Sequence, residues 1–149
     1  MRAARVTYRR SVVHQRNGET TMEKKAFMEL LEAAGVQVQR AVDRFMGNEN
    51  LYLTFLAKLP KQLRFEEILQ ALDNEDEEVF YLRVHDLKGL AGNLELAPIY
   101  ECAQAILVEF RTSRFHQKKK LTDLTREARR ESEQIAALIN GYFREEERK

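Results

Sequence analysis

Tryptophan is missing from this chain, cysteine occurs once and proline only twice. The single cysteine, Cys102, excludes an intramolecular disulfide framework and points to a reducing compartment. No apolar run approaches the length needed to span a bilayer, so the chain reads as a soluble, cytoplasmic protein with no membrane partner. Neither sign of charge dominates. Twenty-five basic residues against 24 acidic ones leave a formal net charge of +1. A nucleic-acid binder should show a strongly basic face, and the lysine run at 118–120 has no aromatic or motif pattern beside it. Nucleic acid is therefore not an expected partner. Nor does any stretch read as a strand.

What is present suits one helical domain. The 149 residues, 44% hydrophobic and 33% charged, are enough for a single core and too few for two comfortable ones. Residues 1–21 stand apart, with five arginines against one acid, Glu19, and no helical stripe. They lack the apolar core of a secretory signal. A transit peptide and an overlong start ending at Met22 are alternatives, and the preferred reading of 1–22 is a disordered basic arm. The folded domain is then expected over 23–145.

Helical periodicity governs the remainder. A short segment at 24–34 comes first. Val38, Ala41, Val42 and Phe45 mark the next helical face, which Gly47 ends and after which Asn48 can cap a third segment. That segment carries Leu51, Tyr52, Phe55, Leu56 and Leu59 before Pro60 interrupts it. Phe65, Ile68, Leu69 and Leu72 form another amphipathic piece. The acidic run "DNEDEE" at 73–78 lacks the glycine and ligand spacing of a calcium loop. Asn74 and Glu77 read instead as a capping box, predicting a helix start near Glu75. Pro98 suits a first turn, followed by Ile99, Cys102, Ala103, Ile106 and Phe110 on one face. "HQKKK" at 116–120 reads as the tip of a helical hairpin. Leu121, Leu124, Ala128, Ile135, Leu138 and Tyr142 then line the last helix, interrupted by Glu131. The expected fold is all-α, an antiparallel four-helix bundle with a short additional N-terminal helix.

The stretch "RVHDLKGLAGNLEL" at 83–96 breaks a helix rule. It places Gly89 and Gly92 inside a helix, where each costs about 1 kcal/mol relative to alanine. At 100° per residue, with His85 at zero, Phe80, Val84, Leu87, Ala91 and Leu94 fall between about 180° and 260°. That stripe must face the core. Tyr81, Lys88, Gly89 and Gly92 fall within about 60° of His85, on the opposite side. The glycines thus clear space around an imidazole, though a closely packed helix could use that space too. An imidazole with its usual pKa of about 6.5 is largely neutral at pH 7 and offers a nucleophilic nitrogen. Lys88, one turn on, can neutralise phosphoryl oxygens. Nucleophile, cation and bare approach together suggest phosphoryl acceptance from another macromolecule. His14 and His116 have no such surroundings and read as ordinary surface histidines.

"HDLKGLAGNL" resembles the signature of histidine-containing phosphotransfer domains, in which a histidine is followed at fixed spacing by an apolar residue, lysine, glycine and a small residue. "RFMGNENLYLTFLAKL" is similar to the segment opening that family's second helix, and "ALDNEDEEVFYLRVHDLKG" to its approach to the histidine. The likeness covers approximately residues 30–140. It implies a four-helix bundle with His85 exposed on the second core helix. By that resemblance His85 accepts a phosphoryl group on Nε2 from a receiver-domain aspartate and passes it to another receiver. Lys88 and Gly89 match the motif lysine and glycine, and Gly92 and Tyr81 would face the partner.

The resemblance implies a carrier, not an enzyme, in a bacterial two-component relay. Its partners would be a response-regulator receiver domain and a hybrid sensor histidine kinase. Magnesium belongs to the receiver, so no metal or cofactor is expected in this chain, and a monomer is the expected state. Glu78 and the Pro60 region are further candidates for setting partner choice. Family members often carry a helper glutamine on the next helix, for which Gln104 is the candidate. Two positions depart from the pattern: Glu95 stands where the family commonly has glycine, and Leu90 is bulkier than the usual residue after the motif glycine. Two other readings stay open. One is a receiver-binding module that acts without phosphorylation. The other is a histidine-kinase-like dimerisation bundle, against which Leu90 stands where that family usually has proline.

Overall fold

The computed structural model describes residues 13–16 and 19–147 of the chain, with side chains described over 23–144. Val13–Arg16 (β1) and Glu19–Met22 (β2) pair antiparallel, Val13 opposite Met22 and Arg16 opposite Glu19. The expectation of no strand is corrected here. Valine and threonine favour a pleated ribbon, and the Asn17-Gly18 dipeptide between the two runs is the strongest short hairpin signal. The rest of the arm expected at 1–22 lies outside the described residues.

From residue 24 the described chain is helical. The elements are α1 (Lys24–Ala33), α2 (Val38–Arg44), α3 (Glu49–Ala57), α4 (Leu59–Gln62), α5 (Phe65–Asp73), α6 (Glu77–Asn93), α7 (Ala97–Ser113) and α8 (Lys118–Glu147). A one-turn 3-10 helix, Arg114–Gln117, joins α7 to α8. The stops and starts have local causes. Gly47 sits at φ +80°, and the Asn48 side chain accepts from the Leu51 amide at 3.0 Å to cap α3. Pro60 opens α4 in its first turn, so the helical stripe through Leu59 is split in two. Gly35, at φ +98°, lies against the Pro98 ring, where a Cβ would come within 2.6 Å of Cγ, so a glycine is required there.

The start of α6 differs from the expected capping box. Asn74 closes α5, Glu75 turns left-handed at φ +52°, and Asp76 caps α6 by accepting from the Val79 amide at 3.1 Å. The apolar stripe of α5 carries the helix through Asp73, which displaces the next start by two residues. Glu77 and Glu78 then occupy the first turn, where the helix dipole favours acids.

One core joins the helices. Phe27, Tyr52, Leu56, Ile68, Phe80, Val84, Ile99, Ile106 and Phe110 are all essentially sealed from solvent. Helix α7 packs against both α6 and α8, and α5 against α6 and α8. Along α8 the buried stripe is Leu121, Thr125, Ala128, Ser132, Ile135, Ile139 and Tyr142. Leu124 and Leu138 sit half-buried at its margin. Thr125 and Ser132 were not expected in the stripe. Each hydroxyl donates back to the carbonyl four residues earlier, at 2.7 Å, which satisfies it inside the core. The lysines of the 116–120 run are each engaged: Lys118 with Glu75, Lys119 with Asp123 and Lys120 with Glu109. No helix among the described residues is long and apolar enough to cross a membrane.

Cys102 is half-buried, at the edge of the face it was expected to share. Burial, reinforced by Glu127, Glu131 and Glu101, pushes its thiol up to about 11. The thiolate is the reactive species. Alkylation by iodoacetamide at pH 8 is therefore expected to run about a hundredfold slower than for an unhindered free thiol, and to recover in urea. Equal rates for native and denatured protein would contradict this burial.

Candidate functional site on helix α6

Helix α6 buries Phe80, Val84, Leu87 and Ala91 and turns His85 outward. The stripe expected from the sequence is the buried face, and His85 is exposed on the other side. Tyr81, one turn earlier and 39% exposed, stacks on the imidazole with ring centroids 5.8 Å apart and planes 25° from parallel. This contact narrows the ring's orientations while leaving its nitrogens to solvent. Lys88 is half-buried and forms no ion pair among the described residues; its ammonium lies 5.5 Å from the centre of the Tyr100 ring on α7.

The two glycines have different surroundings. A Cβ on Gly92 would just touch the Tyr100 ring, at 3.5 Å. A Cβ on Gly89 would meet nothing within 4 Å. Gly89 therefore relieves no packing inside the described protein, and the surface beside His85 is left bare. At 3.5 Å the contact at Gly92 is an ordinary one, so packing inside the described protein requires a glycine at neither position.

Gln104 lies one turn beyond Tyr100 on α7 and is half-buried. Its Oε1 is buried with no hydrogen-bond partner among the described residues. A buried acceptor without a partner costs about 1–3 kcal/mol. No described interaction brings Gln104 to His85 or Lys88. Glu78 is exposed on the first turn of α6, while Pro60 belongs to the separate α4 turn.

On the opposite flank of α6, Arg83 bridges Glu67 at 3.2 Å and Asp86 at 3.4 Å. Arg64, which bonds Glu67 at 3.0 Å, together with Arg83 holds that carboxyl below its usual range. Cavities of about 230 and 420 Å³ run along this flank, sharing Gln62 and Leu90, and His85 lines neither. Apolar surface is exposed around the site, with Val79 at 37% and Leu82 at 48%. No group of three potential metal-ligating side chains occurs among the described residues.

No protein-family model, curated protein or solved structure matches the chain. What the site can do is therefore read from its own atoms. An exposed imidazole that lines neither of these cavities is poorly placed to enclose a small substrate in them and well placed to meet a group presented by a second macromolecule. The neighbouring ammonium suits an anionic group.

The far end of α6 explains one departure from the motif. Glu95, which follows the C-cap residue Leu94, sits at φ +56°, a conformation that favours glycine. Its side chain is only 12% exposed and pairs with Arg44 and, at 3.6 Å, with Arg40. Its carbonyl accepts from the Gln37 amide at 3.0 Å, and the buried Tyr52 hydroxyl donates to the Leu94 carbonyl at 3.1 Å. Burial first, then the Glu95 charge, raises the Tyr52 phenol above its ordinary range. The arginines thus hold a strained residue in place. Glu95→Ala is expected to lose about 1 kcal/mol in urea unfolding, since the ion pairs go and the strain stays. Glu95→Gly should come out near neutral, because glycine recovers the roughly 1 kcal/mol of left-handed strain. Equal losses in both variants would contradict the strain account.

Proposed function

We propose that this chain is a histidine phosphotransfer protein, a cytoplasmic carrier in a multistep two-component phosphorelay. In this reading its helices form the antiparallel four-helix bundle of that family, and the chain works as a monomer without autonomous catalytic activity. The supporting observation is the single face of α6 on which His85 is exposed, Lys88 lacks an ion pair among the described residues and Gly89 leaves the approach open.

The chemistry follows from those atoms. A receiver domain presents an aspartyl phosphate beside its own magnesium ion. The Nε2 lone pair of His85 forms a P–N bond as the P–O bond to the aspartate breaks, and the carboxylate leaves with that electron pair. The proton on Nδ1 is then released to solvent. Lys88 offsets charge on the phosphoryl oxygens during the transfer. The reverse sequence hands the group to a second receiver. Val79, Tyr81 and Leu82 supply apolar contact for the receiver around the histidine.

The test is transfer from receiver domains labelled with radioactive acetyl phosphate. Label on this chain that is lost in acid and stable in alkali, as a P–N bond requires, is the expected result. No label from a panel of receivers, with the protein folded, would sink the carrier reading and leave a module that acts by binding alone.

A further inference from the structure

The sequence singled out Lys88 and passed over Tyr100, yet the structure puts the two together across helices. Tyr100 is on the first turn of α7, 39% exposed, with its ring edge 3.5 Å from the place a Cβ on Gly92 would take and its face 5.5 Å from the Lys88 ammonium. We propose that Tyr100 is a positioning residue for phosphoryl transfer, acting through Lys88; this rests on the carrier reading of His85.

A lysine side chain on a helix surface has many rotamers, and a cation held in one of them reaches the phosphoryl oxygens at a lower entropic cost. Several other lysines are fixed by carboxylates, as Lys120 is by Glu109 at 2.7 Å, while Lys58 shares the arrangement of Lys88, 5.2 Å from the centre of the Phe55 ring. A carboxylate beside Lys88 would neutralise the charge the phosphoryl group needs and repel that group. An aromatic face restrains the ammonium through its quadrupole while leaving the full positive charge. Gly92 lies one turn beyond Lys88 on α6, and the ring stands at an ordinary van der Waals distance, 3.5 Å, from the place a Cβ there would take, so the ring's position does not depend on a glycine. The lysine without a carboxylate partner thus has its explanation in the ring it faces.

The experiment uses phosphoramidate as the donor, so that no partner has to be identified. Its P–N bond breaks as the His85 P–N bond forms, and ammonia leaves. Labelling rates are compared for wild type, Tyr100→Phe, Tyr100→Leu, Lys88→Ala and the Lys88→Ala/Tyr100→Leu double variant, with circular dichroism to confirm folding. In parallel, the ring-current shift of the Lys88 ε-methylene protons reads the contact itself, whatever the chain's function. Tyr100→Leu is expected to lose that shift and to slow labelling about fivefold. Tyr100→Phe should keep both, because the ring and not the hydroxyl faces the cation. In the Lys88→Ala background Tyr100→Leu should have no further effect on the rate. Undiminished labelling in Tyr100→Leu, or an equal loss with and without Lys88, would overturn the positioning role. Absence of label on wild-type His85 would overturn the carrier reading and this role with it, even with the ring-current shift intact.

Discussion

A His85→Gln protein should fold as the wild type does and take no phosphoryl group from a receiver. The two halves of that outcome have separate causes. His85 is exposed and its described side-chain contact is the Tyr81 ring, so substitution removes little packing. Changes at such surface positions usually stay within about 0.5 kcal/mol. The chemistry, by contrast, is lost entirely. A glutamine amide nitrogen has its lone pair delocalised into the carbonyl, and no other imidazole among the described residues shares this face with Lys88 and Gly89. Unlike a general acid, whose loss leaves some residual rate, a covalent acceptor has no substitute. The measurement is alkali-stable label per mole of protein, read beside the urea midpoint. Persistent label in the variant would move the site to another residue. His116 would then be the first place to look, although its Nδ1 already faces the Ser113 carbonyl at 2.9 Å.

Much of this site was legible because a helix has one period and a buried stripe has one direction. Phe80, Val84, Leu87, Ala91 and Leu94 fix which way α6 faces, and the outward direction of His85 follows without a structure. Tyr81 follows in the same way, being four residues earlier on the same helix. Tyr100 does not. It belongs to another helix, and its meeting with Lys88 and Gly92 depends on how α7 lies along α6, which no single-helix wheel contains. The buried hydroxyls of Thr125 and Ser132 escaped for a related reason: they look polar in composition, and only a bond to their own helix lets them into the core. The β1–β2 ribbon was missed differently. Five arginines dominate the composition of residues 1–21, and the hairpin signal there is the single Asn17-Gly18 dipeptide between Val13 and Thr20. Glu95 was seen as a departure, but its left-handed φ and its two arginines had to be observed.

Gly89 gives the sharpest separation between stability and function. A glycine in the middle of α6 with ordinary helical φ and open space beyond its α-carbon is a poor choice for folding alone. Gly89→Ala should raise stability by up to about 1 kcal/mol, read as a shifted urea midpoint at unchanged slope. A single methyl group beside the imidazole should slow transfer only modestly. Gly89→Leu should keep most of the gain in stability, since leucine is nearly as good a helix former as alanine. It would, however, stand a branched side chain one turn from His85 on the face the receiver must approach. A displacement of about 1 Å at a reacting centre can cost on the order of a hundredfold in rate, so transfer to Gly89→Leu should fall by about that much. Phosphoramidate is far smaller than a receiver domain, and its labelling of the same variant should be nearly unaffected. That contrast assigns the lost rate to docking and not to the nucleophile. If Gly89→Leu were instead more stable and fully active with a receiver, the bare face would have no partner to admit, and the carrier reading would lose the observation that supports it most directly. If both donors failed together, the leucine would be acting on His85 or Lys88 themselves. On the proposed reading, the stability given up at this exposed position, on the helix face that carries His85 and Lys88, is the cost of admitting a partner.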